Sequence, residues 1–401
     1  MLDFDTAQAR LAQAGKAPTH TEKCPLHLAA GRVLAHAVTA RLDLPPADNS
    51  AMDGYAIRYA DYQPGRRLPI QERCYAGQRP QPLREGQATR LFTGSVMPEG
   101  ADTVVMQEDC TEADDMLEIR EAPKAGSHVR KRGEDMQQGG TVLEAGTVLG
   151  AAQIAALAAQ GVGQLEVFPR LRVGILTTGD ELVFPGRELA PAQIYNSNGP
   201  MLASLVDGLG AQVLHVLHAV DTDVSVRKAF KMLIKDCDLV LTVGGVSVGE
   251  KDLVKPAIEQ AGATLDLWRV CMKPGKPVAL AHARNKPIVC LPGNPVSAYT
   301  VFTLLVTPLI RAMQGRAAIL PPVRQARLRS DRVFRESREE FLRVRAQESE
   351  TGVAEVTPYG NQGSGVVSSL PWATGFARVP VNTDVRDGDL LRYYDCRHWL
   401  A

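Results

Sequence analysis

Between residues 170 and 316, near-continuous apolar runs alternate with helix-compatible stretches, and that pattern leaves few ways to fold. Arg172-Val-Gly-Ile-Leu-Thr-Thr178, Ala211 to Val220 and Asp238-Leu-Val-Leu-Thr-Val243 are followed by Asn198 to Leu209, Val224 to Lys235 and Leu253 to Gln260 as the intervening helices. Pro277-Val-Ala-Leu, Pro287 to Leu291 and a last helix from Val296 complete the series. A strand that is apolar along its whole length, not at alternate positions, needs cover on both faces. The alternation therefore predicts a parallel-type sheet inside a three-layer α/β/α domain. Ligands of such sheets bind beyond the carboxyl ends of the strands. The polar, glycine-bearing loops 178–181, 244–252 and 291–297 each follow a strand, where that rule expects a site.

The other regions have different textures. A chain of 401 residues suggests roughly two to three domains at ~150 residues each. Leu44-Pro45-Pro46 breaks the pattern of the first 44 residues, since consecutive prolines continue neither a helix nor a central strand. Residues 45–137 alternate short β-rich pieces with Gly, Pro and acidic turns, which predicts a β-rich insert domain. Residues 138–169 return to a helix-compatible texture, with Gly161 placed to cap the helix that begins at Ala151. The chain thus leaves a linking α+β domain (1–44 and 138–169, discontinuous), makes an insert and returns. An α/β domain follows at 170–317. After Pro321-Pro322 the short alternating strands of 318–401 predict a small β-barrel.

Lys+Arg and Asp+Glu both number 45, so the formal charge is zero and the basic excess of a typical nucleic-acid binder is missing. Seven cysteines are scattered with no C-x-x-C pair, which argues against a zinc site or disulfide framework and for a reducing, cytoplasmic setting. The acidic N-terminus lacks the apolar run of a signal peptide. No stretch reaches the ~18 uninterrupted apolar residues of a membrane span, and Ala298 to Ile310 reads as a core helix.

Several loops could carry chemistry. Gly244-Gly-Val-Ser-Val-Gly-Glu-Lys-Asp252 lets backbone approach a phosphate closely, though it is neither a dinucleotide fingerprint nor a Walker loop. Thr178-Gly-Asp-Glu181 places two carboxylates where a hard cation would be held by oxygen ligands. Lys273-Pro-Gly-Lys276-Pro277 fixes two point charges around a rigid turn, and Leu291-Pro-Gly-Asn-Pro-Val-Ser297 is proline-locked. In the insert, Asp48 to Ala56 and Arg130 to Asp135 carry charges of both signs. Taken singly, an ordinary tight turn, a capped helix or a solvated loop explains each equally well.

In order along the chain stand Asp48-Asn-Ser-Ala-Met-Asp-Gly-Tyr-Ala56, Phe92-Thr-Gly94, Pro98 to Glu108, Arg132-Gly-Glu-Asp135, Thr178-Gly-Asp-Glu-Leu182, Ile194-Tyr-Asn-Ser-Asn198, Gly244 to Asp252, Lys273 to Pro277, Leu291 to Ser297 and Gln362-Gly-Ser-Gly365. In this order they resemble the molybdopterin molybdenumtransferases, the bacterial counterparts of the gephyrin E domain. The resemblance covers essentially the whole chain.

It implies an enzyme that inserts molybdate into adenylylated molybdopterin and releases AMP, with Mg2+. It also implies an elongated homodimer whose active site lies between the 170–316 domain of one subunit and the 45–137 insert of the other. Other proteins of molybdenum cofactor synthesis and apo-molybdoenzymes are implied partners, whereas nucleic acid and membrane are not. Carried over by position, the catalytic set is Asp53, Thr93, Asp135, Glu181, Asp221 and Asp252, with Glu181 and Asp252 on the metal. The cofactor-binding set is Thr178, Gly179, Asp180, Gly244, Gly245, Ser247, Gly249, Lys273, Gly275, Lys276, Pro292, Asn294, Pro295 and Ser297. A pyrophosphate linkage needs neutralising before its phosphorus is attacked, and molybdate, a dianion, suits Lys273, Lys276 and Ser297 better than carboxylates. Molybdopterin adenylylation, a non-catalytic cofactor-binding scaffold and a dinucleotide oxidoreductase are the rival readings.

Overall fold

The computed structural model describes residues 1–245, 253–260, 262–349 and 352–401. Its α/β unit runs β1 (Arg172–Thr178), α1 (Asn198–Gly208), β2 (Gln212–Ala219), α2 (Asp223–Asp236), β3 (Leu239–Val243), α3 (Val254–Gln260), β4 (Thr264–Trp268), β5 (Ala279–Ala283), β6 (Lys286–Leu291) and α4 (Pro295–Met313). The spatial strand order is β2-β1-β3-β6-β5-β4. The sheet is covered on both faces, as continuous apolar strands require. Val173, Ile175, Leu239 and Leu241 enter one core with Leu202 and Leu305, while Leu176 and Val240 enter another with Phe230 and Ile258.

The sheet is parallel across β2, β1, β3 and β6, but at one edge β5 pairs antiparallel with both β6 and β4. The parallel-type sheet carries this reversal for a covalent reason. Only Arg284 and Asn285 separate β5 from β6, and both have positive φ (51° and 64°), the geometry of a two-residue hairpin turn. A parallel pairing would need a crossover of about a dozen residues.

α4 has a mean hydropathy of 1.5 and is long enough to cross a membrane, yet 94% of that window is buried within the protein. Pro308 cannot donate to the Leu304 carbonyl one turn back, and the helix widens over Phe302–Val306. The side-chain amide of Gln8 donates to that Leu304 carbonyl at 2.7 Å. Gln8 lies on the N-terminal helix Phe4–Ala14, whose Phe4, Ala7 and Leu11 share the α/β core with Phe341 and Tyr394 of the C-terminal region. This helix therefore packs away from residues 22–44, with which its position in the sequence groups it.

Around this unit stand three β assemblies. Glu22–Pro25 pairs with Gln164–Val167 and Val38–Thr39 with Thr141–Leu143, so segments before and after the insert close on each other. The insert forms a six-stranded sheet in the order Thr103–Met106, Gly54–Ile57, Ala88–Leu91, Leu68–Cys74, Met116–Ile119, Cys110–Ala113. At the C-terminus, Glu339–Gln347 pairs with both Glu355–Pro358 and Gly375–Val379, and Arg324–Leu328 and Leu390–Asp395 complete a closed five-stranded barrel. A barrel leaves no edge strand exposed to stray pairing.

Candidate functional site

The chain direction reverses between β1 and β3: from β1 it runs outward to β2, then back to β3. Their carboxyl ends meet with little space between them. A Cβ at Gly244 would lie 2.9 Å from the Thr178 carbonyl oxygen, and one at Gly245 would lie 2.6 Å from Val254. Both glycines have positive φ (91° and 63°), so the site requires glycine for its backbone shape as well as its clearance. Gly293, after β6, approaches the same spot: a Cβ there would come within 3.9 Å of the Gly244 Cα.

Polar groups ring this floor. The Glu181 carboxylate folds over Gly179, where a Cβ would meet it at 2.5 Å. Asp180 accepts the backbone N–H of Asp221 at 3.0 Å, joining the loops after β1 and β2. Asn198, at the start of α1, donates to the Gly293 carbonyl at 2.7 Å, and its buried Oδ1 has no partner among the described residues. Asn196 donates to Thr177 Oγ1 at 2.9 Å and accepts the Gly199 N–H at 3.0 Å. After β6, Pro292 is buried, Pro295 opens α4 and Ser297 is 4% exposed. Asn294 reaches the barrel, donating to Ser364 at 3.0 Å. Thr178, Gly179, Asp180, Glu181, Asp221, Gly244, Gly245, Pro292, Asn294, Pro295 and Ser297 thus cluster at one sheet end. Ser247, Gly249 and Asp252 lie outside the described residues.

The Lys273–Lys276 turn is built differently from the sequence expectation. Gly275 has a φ of 118° and packs against Val301. Lys276 is exposed, but Lys273 is already engaged. Its ammonium pairs with Glu336 and, at 3.0 Å, with Glu340 of the barrel. Burial works against that charge, but the two carboxylates outweigh it and hold the Lys273 pKa above the usual lysine value. Backbone pairing of Met272–Lys273 with Glu339–Glu340 fixes the same junction.

Arg343 was invisible to sequence reasoning. It is fully buried, donates to the carbonyls of Asn361 and Gly363 at 3.0 and 3.1 Å, and leaves Nε and Nη1 without partners among the described residues. It therefore supports the loop that brings Ser364 to Asn294. In sequence it is one more arginine in an alternating strand. Asn196 and Asn198 had a signal in the Ile194–Asn198 motif, but no spacing argument gave them a role.

In the insert, Asp53 accepts both the backbone N–H and the hydroxyl of Thr93, at 2.7 and 2.8 Å. These bonds hold the Asp53 carboxyl below its usual range. Asp135 is exposed, and its N–H donates to the Leu44 carbonyl at 3.0 Å. Arg132 is tied to Asp43 at 2.6 Å. Asp53, Thr93 and Asp135 belong to strands and loops that share no sheet with β1–β6.

Among the described residues no group of three or more His, Cys, Asp or Glu side chains is arranged to hold a metal. Glu181 is an oxygen donor of the kind magnesium takes, and magnesium keeps several waters and needs only one or two carboxylates beside phosphate oxygens.

The MoeA N-terminal region (domain I and II) matches residues 2–161, the probable molybdopterin binding domain matches 174–312, and the MoeA C-terminal region (domain IV) matches 325–395. A molybdopterin molybdenumtransferase of Haemophilus influenzae is 36% identical over 376 residues, covering 92% of each chain. Molybdopterin molybdenumtransferase 2 of Mycobacterium tuberculosis is 36% identical over 383 residues, covering 92% of this chain and 94% of its own. The crystal structure of the molybdopterin biosynthesis moeA protein from Pyrococcus horikoshii OT3 superposes with a TM-score of 0.84 at 28% identity, covering 98% of this chain and all of that one. With relatives this similar over nearly its full length, the chain belongs to the molybdopterin molybdenumtransferase family.

Proposed function

We propose that this protein transfers molybdenum from molybdate to adenylylated molybdopterin, releasing AMP. The observation that carries the reading is the meeting of Thr178, Gly244 and Gly293 at the sheet's switch point, with no room for a Cβ at Gly244. Backbone N–H groups there can reach a pyrophosphate that a side chain would hold off. Asp180, Glu181 and Asp221 supply the acidic rim, and Ser297 and Lys276 supply donors for an oxyanion such as molybdate. Mg2+, held by Glu181 and Asp252, would neutralise charge at the pyrophosphate. The dithiolene sulfurs that receive the metal belong to the cofactor, so no protein thiolate is required.

Asp53, Thr93 and Asp135 enter the same reading as groups that close the pocket from a second subunit. The proposal includes a homodimer, a cytoplasmic location, and domains at 1–44 with 138–169, 45–137, 170–317 and 318–401. Hand-over of the loaded cofactor to apo-molybdoenzymes belongs to it as well.

The test is incubation of the purified protein with adenylylated molybdopterin, molybdate and magnesium. AMP and metallated cofactor are expected together, both lost in Asp252→Ala at unchanged thermal stability. No AMP release, beside a family member that works in parallel, would overturn the reading.

A further inference from the structure

The chain has zero net charge, so a local concentration of one sign carries information. Along α2, from its first turns to the amino ends of the parallel strands, one flank of the α/β unit is basic. A cavity of about 360 Å³ lies between α2, α3 and the β5–β6 turn. Arg227, Lys231 and Lys235 line it at four-residue intervals, a row of about 12 Å on one helix face, and Arg284 lines it from the turn. No carboxylate lines it among the described residues; its floor is Ile234 and Ala257, both buried. Arg227 is partly neutralised by Asp223 and donates to Gln260 at 3.1 Å.

The next cavity, about 530 Å³, begins on the other side of the same turn, at Asn285 and Lys286. Lys16, Arg170 and Arg172 also line it, and Asp238 is its one carboxylate, already spent on Arg172 at 2.7 Å. The two cavities flank the turn as one basic furrow crossed by Lys286, whose ammonium donates to the Ile234 and Lys235 carbonyls at 2.8 and 3.2 Å, and together they are longer than a single phosphate or nucleotide needs. Among the described residues no Phe, Tyr or Trp lines either cavity, so the furrow offers none of the stacking platforms of single-strand nucleic-acid sites there.

We propose that this furrow is a docking surface for an acidic peptide segment of a protein partner, whose carboxylates meet the lysine and arginine row and whose apolar side chains seat on Ile234 and Ala257. Its far end, at Lys235, Arg284 and Asn285, lies at the amino ends of the strands, so a partner seated there leaves the pocket open. The surface does not depend on the reading of the pocket.

The probe is a fluorescein-labelled peptide of alternating glutamate and leucine, about eight residues at ~3.4 Å each, long enough to bridge the two cavities. Fluorescence anisotropy on the full-length protein should show binding that weakens as salt rises through ~0.1 M, where the Debye length is ~10 Å. The triple variant K231E/K235E/R284E should bind about tenfold or more weakly, with an unchanged circular dichroism spectrum and the same rate of AMP release. The control K124E/R324E, equally exposed, should bind as the wild type does. Absence of binding to the wild type, equal loss in the control, or tighter binding of an oligothymidine of the same length would each overturn the proposal.

Discussion

Asp53 and Thr93 are joined twice, through the Thr93 amide at 2.7 Å and its hydroxyl at 2.8 Å, although 40 residues separate them. The strand Gly54–Ile57 sits beside Ala88–Leu91 in one sheet, and that pairing brings the two loops together. The amide is the larger influence on the carboxyl, and the hydroxyl adds to it; both lower the Asp53 pKa. Thr93→Val removes only the hydroxyl. The Asp53 pKa should then rise towards 3.8 without reaching it, as followed by carboxyl NMR across acid pH. A value unchanged from wild type would show that the hydroxyl contributes nothing.

The glycine floor separates shape from ligand clearance. Gly244→Ala puts a methyl 2.9 Å from the Thr178 carbonyl at a φ of 91°. It should lower stability by about 1–3 kcal/mol. Gly293→Ala meets nothing closer than 3.9 Å and should change stability by no more than about 0.5 kcal/mol. Under the proposed function both variants should lose AMP release. Urea denaturation with the turnover assay distinguishes the two behaviours.

Lys273 ties the α/β unit to the barrel through Glu336 and Glu340, and Glu340 is 5% exposed. Lys273→Met strands a buried carboxylate and should cost about 1–3 kcal/mol, below the full cost of a broken buried pair because Lys273 is part-exposed. Adding Glu340→Gln should recover much of that loss. The Lys273 pKa is raised above 10.5, so its contribution is complete below that pH and disappears as pH rises through the folded-state value. Wild-type stability should therefore approach that of Lys273→Met in strong alkali.

Arg378 clamps the N-terminal helix with a fork to Asp5 at 2.7 and 2.8 Å while its Nε donates to Glu339 at 2.6 Å. The hydrogen bond from Arg378 is the main reason the Asp5 carboxyl titrates below 3.8. Its contribution is present above that pH and disappears as pH falls through the lowered value. Asp5→Asn should cost about 1 kcal/mol near neutral pH. The gap from wild type should close in acid, as read by thermal unfolding across pH.

The apolar strands and the loops after them were legible in the sequence because continuous hydrophobic runs and glycine are strong local signals. Thr178, Gly244 and Asn294 came from that reading, and they gather at one sheet end. What local pattern could not carry was partnership at long range. Lys273 reads as a donor held out for an anion, because nothing near it in sequence announces two carboxylates more than 60 residues away. Arg343 stands in the sequence as one arginine of an alternating strand, because period-two alternation does not reveal that a barrel will close over it. Phe4–Ala14 reads as part of whatever follows it, since an amphipathic stripe names no target. The antiparallel edge hung on a two-residue turn whose only hint was Asn285.

The N-terminal helix, α4 and the barrel are cemented by one shared core in which Phe4, Phe302, Phe341 and Trp399 are all buried. Excising residues 170–317 would strip α4 of that cover and leave a greasy ridge, whereas keeping residues 318–401 and the first 14 with them would preserve it.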